Sequence, residues 1–309
     1  MKECPILVTG SHRSGTTWVG TMLTYSPPVF YVPEVFNVDR DILQNKGIFK
    51  YWFTYINEYN QHEFRDAIAD ILKIKYGLGT IIGLDKSVRR NNGGGIRGRF
   101  QFALKFLNSF TYARRHLLKD PIALFSAEWL AKEFGMDIVI LIRHPCAFAY
   151  SIQRMNWRFD FNNFLYQRNL MERYLYPFEE QLHQKPDDII EEAALLWKCI
   201  HHVITIYRNK YSNWIFKRLE DISMNPIKEF HDISNRIDIP FTKTMEKKIN
   251  DYSGPLNLAE ASKGITFSLK RDSKSATKIW RERLSEKQIS TIRRIVEDVA
   301  CNFYSDDEW

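Results

Sequence analysis

The chain has 309 residues, 44% of them hydrophobic, a formal net charge of +7 and four cysteines. That is enough apolar material for a large core, and α/β folds of this size are common, so we expect a single domain over residues 1–309. No low-complexity linker or internal repeat breaks the chain, and no apolar run approaches the roughly 18 residues that would span a bilayer. Cys4, Cys146, Cys199 and Cys301 are scattered, with neither metal-ligand spacing nor the density of a disulfide framework, which points to a reducing compartment and to no metal. The first apolar run begins within five residues of the start, leaving no room for a leader. The expectation is a cytoplasmic protein, or a soluble segment lacking an N-terminal anchor.

Ile6–Thr9 reads as a short buried strand and Trp18–Leu23 as a helix, and between them lies Gly-Ser-His-Arg-Ser-Gly-Thr-Thr from Gly10 to Thr17. Both glycines and the last threonine match the phosphate-loop pattern G-x-x-x-x-G-K-[ST], but Thr16 stands where the lysine belongs. Strand, loop and helix are in the order an anion cradle needs, with N–H groups and the helix dipole supplying the positive end. A chance glycine-rich turn would lack that register. The missing lysine argues against an ordinary ATP or GTP user and for another phosphate-bearing donor.

Farther along, Glu34 follows Pro33, and Phe49–Tyr59 is rich in aromatics. His62–Tyr76 reads as an amphipathic helix and Thr80–Leu84 as a strand. From Lys86 to Lys119 there are nine Lys/Arg and no acid, with a Gly93-Gly94-Gly95 loop inside, so this segment holds the whole basic surplus. It would steer anions or simply form a solvated face. Lys119-Asp120-Pro121 precedes a helix from Ile122 to Phe134. Asp137–Ile142 is an apolar strand that delivers Arg143 to the sheet's carboxyl edge, and a helix from Cys146 to Trp157 carries Ser151. Arginine plus a hydroxyl makes a phosphate clamp. Trp157–Tyr176 interleaves aromatics with arginines, which suits sugar rings or nucleobases but more often serves packing.

Asp188–Asn209 is the clearest amphipathic helix, acidic at its start and basic at its end. Trp214–Leu219 reads as another strand, and Ser285 with Gln288 marks a capping box for the last helix. Near-continuous apolar strands alternating with helices predict a three-layer α/β fold: a mostly parallel central sheet with flanking helices, and ligands at the strands' carboxyl ends.

Arg13-Ser-Gly-Thr-Thr-Trp18 resembles the 5′-phosphosulfate loop of sulfotransferases that use 3′-phosphoadenosine 5′-phosphosulfate (PAPS). Its arginine-led form is that of the tyrosylprotein and several carbohydrate branches. The resemblance implies that His12, Arg13, Ser14, Gly15, Thr16 and Thr17 cradle the 5′ end and that Trp18 stacks on adenine. Arg143 and Ser151 match the two contact positions of the family's 3′-phosphate motif. Lys119 matches a lysine supplied to the reacting sulfuryl group. Glu34, 21 residues after Arg13, matches the general base of the tyrosylprotein branch. Arg218-Leu-Glu-Asp221 and Arg271-Asp-Ser273-Lys274 resemble later family segments, the second placing Ser273 at the sulfuryl group or its phosphate.

The resemblance spans roughly 5–34, 116–157, 213–237 and 268–290; acceptor recognition should lie in the stretches between. It implies a PAPS-dependent sulfotransferase with Glu34, Arg13, Lys119 and Ser273 as catalytic candidates, PAP (the 3′,5′-bisphosphate) as product and no metal. The acceptor is a hydroxyl, with a saccharide favoured over tyrosine or another phenol, and neither nucleic acid nor membrane is a partner. The competing readings are a P-loop kinase or NTPase, which would need a lysine after Gly15, and a non-catalytic polyanion- or nucleic-acid-binding protein using the basic segment.

Overall fold

The computed structural model describes residues 3–27, 29–38, 48–72, 115–260 and 270–309. The expected strand at Thr80–Leu84, the Gly93–Gly95 loop and the basic residues from Lys86 to Arg114 lie outside them.

Among the described residues five strands form one sheet: β1 (Ile6–Gly10), β2 (Val29–Pro33), β3 (Arg115–Lys119), β4 (Asp137–Ile142) and β5 (Ile215–Arg218), in the order β2-β3-β1-β4-β5. Every pairing is parallel. Because side chains alternate across a strand, one register sorts the core onto two faces. Leu7, Leu118, Ile138 and Ile140 share one apolar cluster, while Ile6, Val8, Leu117 and Val139 share the other. Both faces being covered explains why these strands read as continuous apolar runs rather than alternating ones.

The helices packed into the cluster on the first face include Ala127–Phe134, Pro145–Met155, Ile189–Lys210 and Glu286–Ala300. On the second lie α1 (Thr16–Leu23) and helices Pro226–Arg236 and Lys243–Ser253. The layers are therefore helix, parallel sheet, helix, as expected. Asp188 caps the 22-residue helix Ile189–Lys210 by accepting the N–H groups of Ile190 (2.7 Å) and Glu191 (3.2 Å). This helix is buried on more than the expected stripe, since Ala194, Leu195, Cys199 and His201 are interior too. The helices on either side of it leave little of it to solvent. The Ser285–Gln288 capping box is formed in both directions.

Two strands escaped the sequence reading. β2 ends in a proline and lies at the edge of the described sheet, where a missing N–H is tolerated. β3 begins with Arg115 and ends with Lys119, and both charges are buried. Arg115 reaches the Cys4 carbonyl (2.7 Å), the Ile237 carbonyl and the Asp137 carboxylate (2.8 Å). These are the two members of the basic segment that the structure describes, and both belong to the interior rather than to a solvated face.

The aromatic stretches largely pack. Phe53, Phe161 and Phe164 are buried, and Phe53 meets Phe125 and Phe164 at centroid distances of 5.5 and 5.9 Å. Trp157, by contrast, is 37% exposed. Among the described residues no helix is long and apolar enough to cross a membrane.

Candidate active site

The parallel sheet brings every strand's carboxyl end to one edge. Glu34 follows β2, Lys119 closes β3, the Gly10–Thr17 loop follows β1, Arg143 follows β4 and Leu219 follows β5. A left-handed Gly10 (φ 141°) starts the loop so close to β4 that a Cβ there would lie 2.2 Å from the Leu141 carbonyl oxygen. Gly15 (φ 88°) is the N-cap of α1, and no side chain caps that turn. The first N–H groups of α1, from Thr16 and Thr17, have no carbonyl of their own helix to reach and open toward the site.

An open cleft of about 860 Å³ lies against this loop, lined by Arg13, Thr17, Trp18, Arg143, Arg271 and Ser273 among others. A smaller hollow, open to solvent, adjoins it and adds Ser151, Arg154 and Glu260. Arg13, Arg143 and Arg271 line both. Four guanidinium groups, those of Arg13, Arg143, Arg154 and Arg271, thus converge at the sheet edge. Burial first, then Arg143, Arg271 and Arg154, brings Arg13 down to about 9. Burial first brings Arg143 down to about 10, with Arg271 adding to it and Glu220 opposing. Arg271 is lowered by burial and then by Arg154, against Glu260. Such a cluster is built to meet a multiply charged anion.

The two expected anion motifs touch. Arg13 Nε donates to Ser151 Oγ at 2.9 Å, and Arg143 Nη1 donates to the Arg13 carbonyl at 2.6 Å. Arg13 itself holds a left-handed φ of 67°, a conformation a non-glycine residue adopts at a cost. Its guanidinium lies 5.6 Å from the Trp157 ring centroid. Trp18 packs edge-on against Phe230 (5.4 Å), and its Nε1 is buried without a protein partner, as is Ser11 Oγ in the loop. These orphaned donors and the cap without a side chain fit a bound nucleotide.

His12 and Ser14 turn inward instead. Ser14 Oγ donates to the Ser11 carbonyl, and the His12 ring meets Phe148 edge-on at 5.0 Å. Burial, aided by Arg13, lowers His12 to about 3, so the ring is neutral. Ser273 lines the cleft, but its hydroxyl faces the carbonyls of Ser223 (2.9 Å) and Ser253 (3.3 Å). That ties helix Ser273–Lys278 to its neighbours and leaves the Ser273 hydroxyl proton engaged.

Glu34 and Lys119 meet each other on the far side of the loop. The Lys119 ammonium donates to Glu34 Oε1, and Asn37 Nδ2 donates to Oε2 at 3.1 Å. Both side chains are largely buried (3% exposed for Lys119, 13% for Glu34). The α1 helix reaches this pair through Gly20, where a Cβ would come 3.0 Å from Lys119 Cγ. Asp120 beside them is fully buried, and burial raises its carboxyl to about 7.

Below the arginines sits a supporting layer. Glu220 accepts the His144 N–H (3.0 Å) and the Tyr304 hydroxyl (3.0 Å). His144 stacks on Trp280 at 4.7 Å, and burial first, then Arg281 and Arg218, lowers its ring to about 3. Arg218 bonds Asp221 and Glu308, so these two residues brace the stretch, while Leu219 and Glu220 between them line the cleft. Sequence reasoning missed Arg154, which lines the smaller hollow. Arg154 was findable, since it lies three residues beyond Ser151 on one helix and therefore on the same face.

The sulfotransferase family matches residues 5–242, and the chain belongs to that family. Its fold is that of the sulfotransferase domain from the curacin biosynthetic pathway, with a TM-score of 0.50 at 13% identity over 96% of this chain and 97% of that one. The sulfotransferase domain of the Synechococcus PCC 7002 olefin synthase is also similar, at a TM-score of 0.49, 15% identity and coverage of 97% and 95%. A mouse sulfotransferase, SULT7A1, solved with PAP, gives a TM-score of 0.45 at 13% identity, covering 99% of this chain and 87% of that chain. No curated protein matches the sequence.

Proposed function

We propose that this chain is one domain that moves a sulfuryl group from PAPS to an acceptor hydroxyl, preferably of a saccharide, by in-line transfer. The observation that carries this reading is the convergence of Arg13, Arg143, Arg154 and Arg271 beside the uncapped N-terminus of α1. A donor with phosphate groups at both ends of its adenosine matches that spread of charge, and a donor with phosphates at one end does not. The loop amides and Thr17 hold the 5′ end, Arg143 and Ser151 the 3′-phosphate, and Trp18 the adenine.

The chain's own work is alignment and charge. Holding acceptor oxygen and sulfur in line is worth up to about 7–11 kcal/mol. Arg13, Lys119 and the loop N–H groups offset the charge that builds on the bridging oxygen, each donor contributing about 3 kcal/mol. Glu34 takes the acceptor's proton. As a carboxylate it keeps lone pairs beyond those used by Lys119 and Asn37, and a positioned base contributes roughly 10²–10⁴ in rate. Lys119 touches the base directly, so movement of its ammonium toward the sulfuryl oxygen would release Glu34 for the proton. No step calls for a metal. With its hydroxyl held by two carbonyls, Ser273 serves as a wall of the nucleotide cleft.

The saccharide preference rests on Trp157, whose exposed indole lies beside Arg13 and offers a stacking face for a sugar ring. The four thiols, none joined in a disulfide, suit a cytoplasmic setting. The test is calorimetric titration with PAP beside 5′-AMP and ATP–Mg²⁺. PAP should bind far more tightly than either, and Arg143→Ala should weaken it at least tenfold. Indifference to the 3′-phosphate would end the reading.

A further inference from the structure

Asp120 takes no part in the chemistry just described, yet it is fully buried between the groups that do. Its Oδ2 accepts the Phe36 N–H at 2.7 Å and its Oδ1 accepts the Ile122 N–H at 3.2 Å. Its own N–H donates to the Val8 carbonyl at 3.0 Å. One carboxylate therefore stands where β1, β3 and the turn after β2 come together.

That turn carries Glu34. The residue sits at a left-handed φ of 42°, which a side chain with a Cβ adopts only when its surroundings impose it. Two clamps from the β3 end impose it here. The Lys119 carbonyl accepts the Glu34 N–H at 2.8 Å, and two residues on, Asp120 accepts the Phe36 N–H. Asn37, next in the turn, then reaches back to the Glu34 carboxylate. A cap for the short helix Pro121–Ser126 would need only the Ile122 contact. The bond to Phe36, 84 residues away in sequence, has no part in capping.

We propose that Asp120 is a positioning residue that holds the Glu34–Asn37 turn, and through it the Glu34 carboxylate, at the distance from the acceptor that proton transfer requires. The inference rests on Glu34 being the general base. Losing the clamp would displace the carboxylate without touching the nucleotide cleft, whose lining does not include Asp120. It would therefore lower kcat and leave donor binding alone.

The test is a kinetic cycle of Glu34→Gln, Asp120→Ala and the double variant. PAP release from PAPS is followed with an N-acetylglucosamine oligosaccharide present, so that either a sugar hydroxyl or water accepts the group. Asp120→Ala should lower kcat about 10–100-fold, the scale of a 1 Å misplacement, with KM for PAPS and affinity for PAP within about twofold of the parent. In the Glu34→Gln background the same change should cost less than about twofold, because the residue acts through Glu34. Losses that multiply, or an unchanged kcat in Asp120→Ala while Glu34→Gln is impaired, would overturn the positioning role alone. An unchanged kcat in Glu34→Gln would overturn the base and the inference with it. Should Asp120→Ala fail to fold, Asp120→Asn keeps the shape and one acceptor while placing an NH₂ against one of the two N–H groups, and the same cycle decides.

Discussion

Glu34 and Lys119 were singled out separately in the sequence, 85 residues apart, and the structure joins them in one ion pair. Their pairing follows from strand order, since β2 and β3 are neighbours with Pro33 opposite Lys119. Lys119 touches Glu34, the proposed base, and lies outside the lining of the proposed nucleotide cleft. Lys119→Met, which keeps the buried stem and removes the charge, should therefore lower kcat about 10²–10³-fold while PAP affinity changes little. Titration and turnover on the same preparation check this. Equal losses in both would mean that the lysine serves donor binding instead. At this scale the residue types were readable and their contacts were not. Nothing in the spacing of Arg13 and Ser151, or of Ser273 and Ser223, announces a hydrogen bond between them.

At the scale of elements, the β1–loop–α1 unit was the most legible part, because each of its features is local. An apolar run makes the strand, two glycines satisfy left-handed positions, and the helix follows at once. Gly15 shows how tightly this unit is held. A Cβ there would need φ +88° and would lie 2.6 Å from Leu219 Cδ1. Gly15→Ala should destabilise the fold by about 1–2 kcal/mol from the left-handed conformation alone, and weaken PAP at least tenfold by shifting the N–H groups. Urea unfolding and calorimetry separate the two effects; loss of stability with full PAP affinity would mean that the loop does not cradle the donor. β2 and β3 were missed for the opposite reason. β2 carries a short β-branched and aromatic run whose terminal proline hides it, and β3, with a charge at each end, shows no strand pattern until neighbouring strands supply the hydrogen bonds and the burial.

For the molecule as a whole, the buried histidines set its response to acid. His12, His144 and His201 are each lowered to about 3, with burial the leading cause. Each binds a proton in the unfolded chain below its ordinary value of 6.5 but resists it in the fold. Stability is therefore complete above about pH 6.5 and falls as pH drops toward 3. Asp120 works in the opposite sense: raised to about 7, it favours the fold at lower pH and withdraws that contribution as pH rises from about 4 to 7. His116, lowered by burial to about 4, joins the first set, and Glu220, raised by burial, joins Asp120; four groups outweigh two, so the net slope is positive. His201 is fully buried, stacked 3.8 Å from Trp197, with Nε2 unpartnered. His201→Phe should flatten the profile by about 1.4 kcal/mol per pH unit between 6.5 and 3, measured as urea midpoints across that range. An unchanged slope would mean that the imidazole is protonated in the fold.

The sequence alone determined the fold class and the family, and it supplied the proposed anion loop and clamp residues Arg143 and Ser151, because each rests on local pattern: short apolar runs, glycine positions, a residue at the end of a strand. Only the tertiary structure decided which of these side chains meet. Parallel pairing in the order β2-β3-β1-β4-β5 brings residues from every part of the chain to one edge. Burial there turns ordinary charges into a cluster of arginines, a carboxylate held by two backbone N–H groups and an ion pair. Those contacts depend on distances between segments far apart in the chain, which spacing along it does not encode.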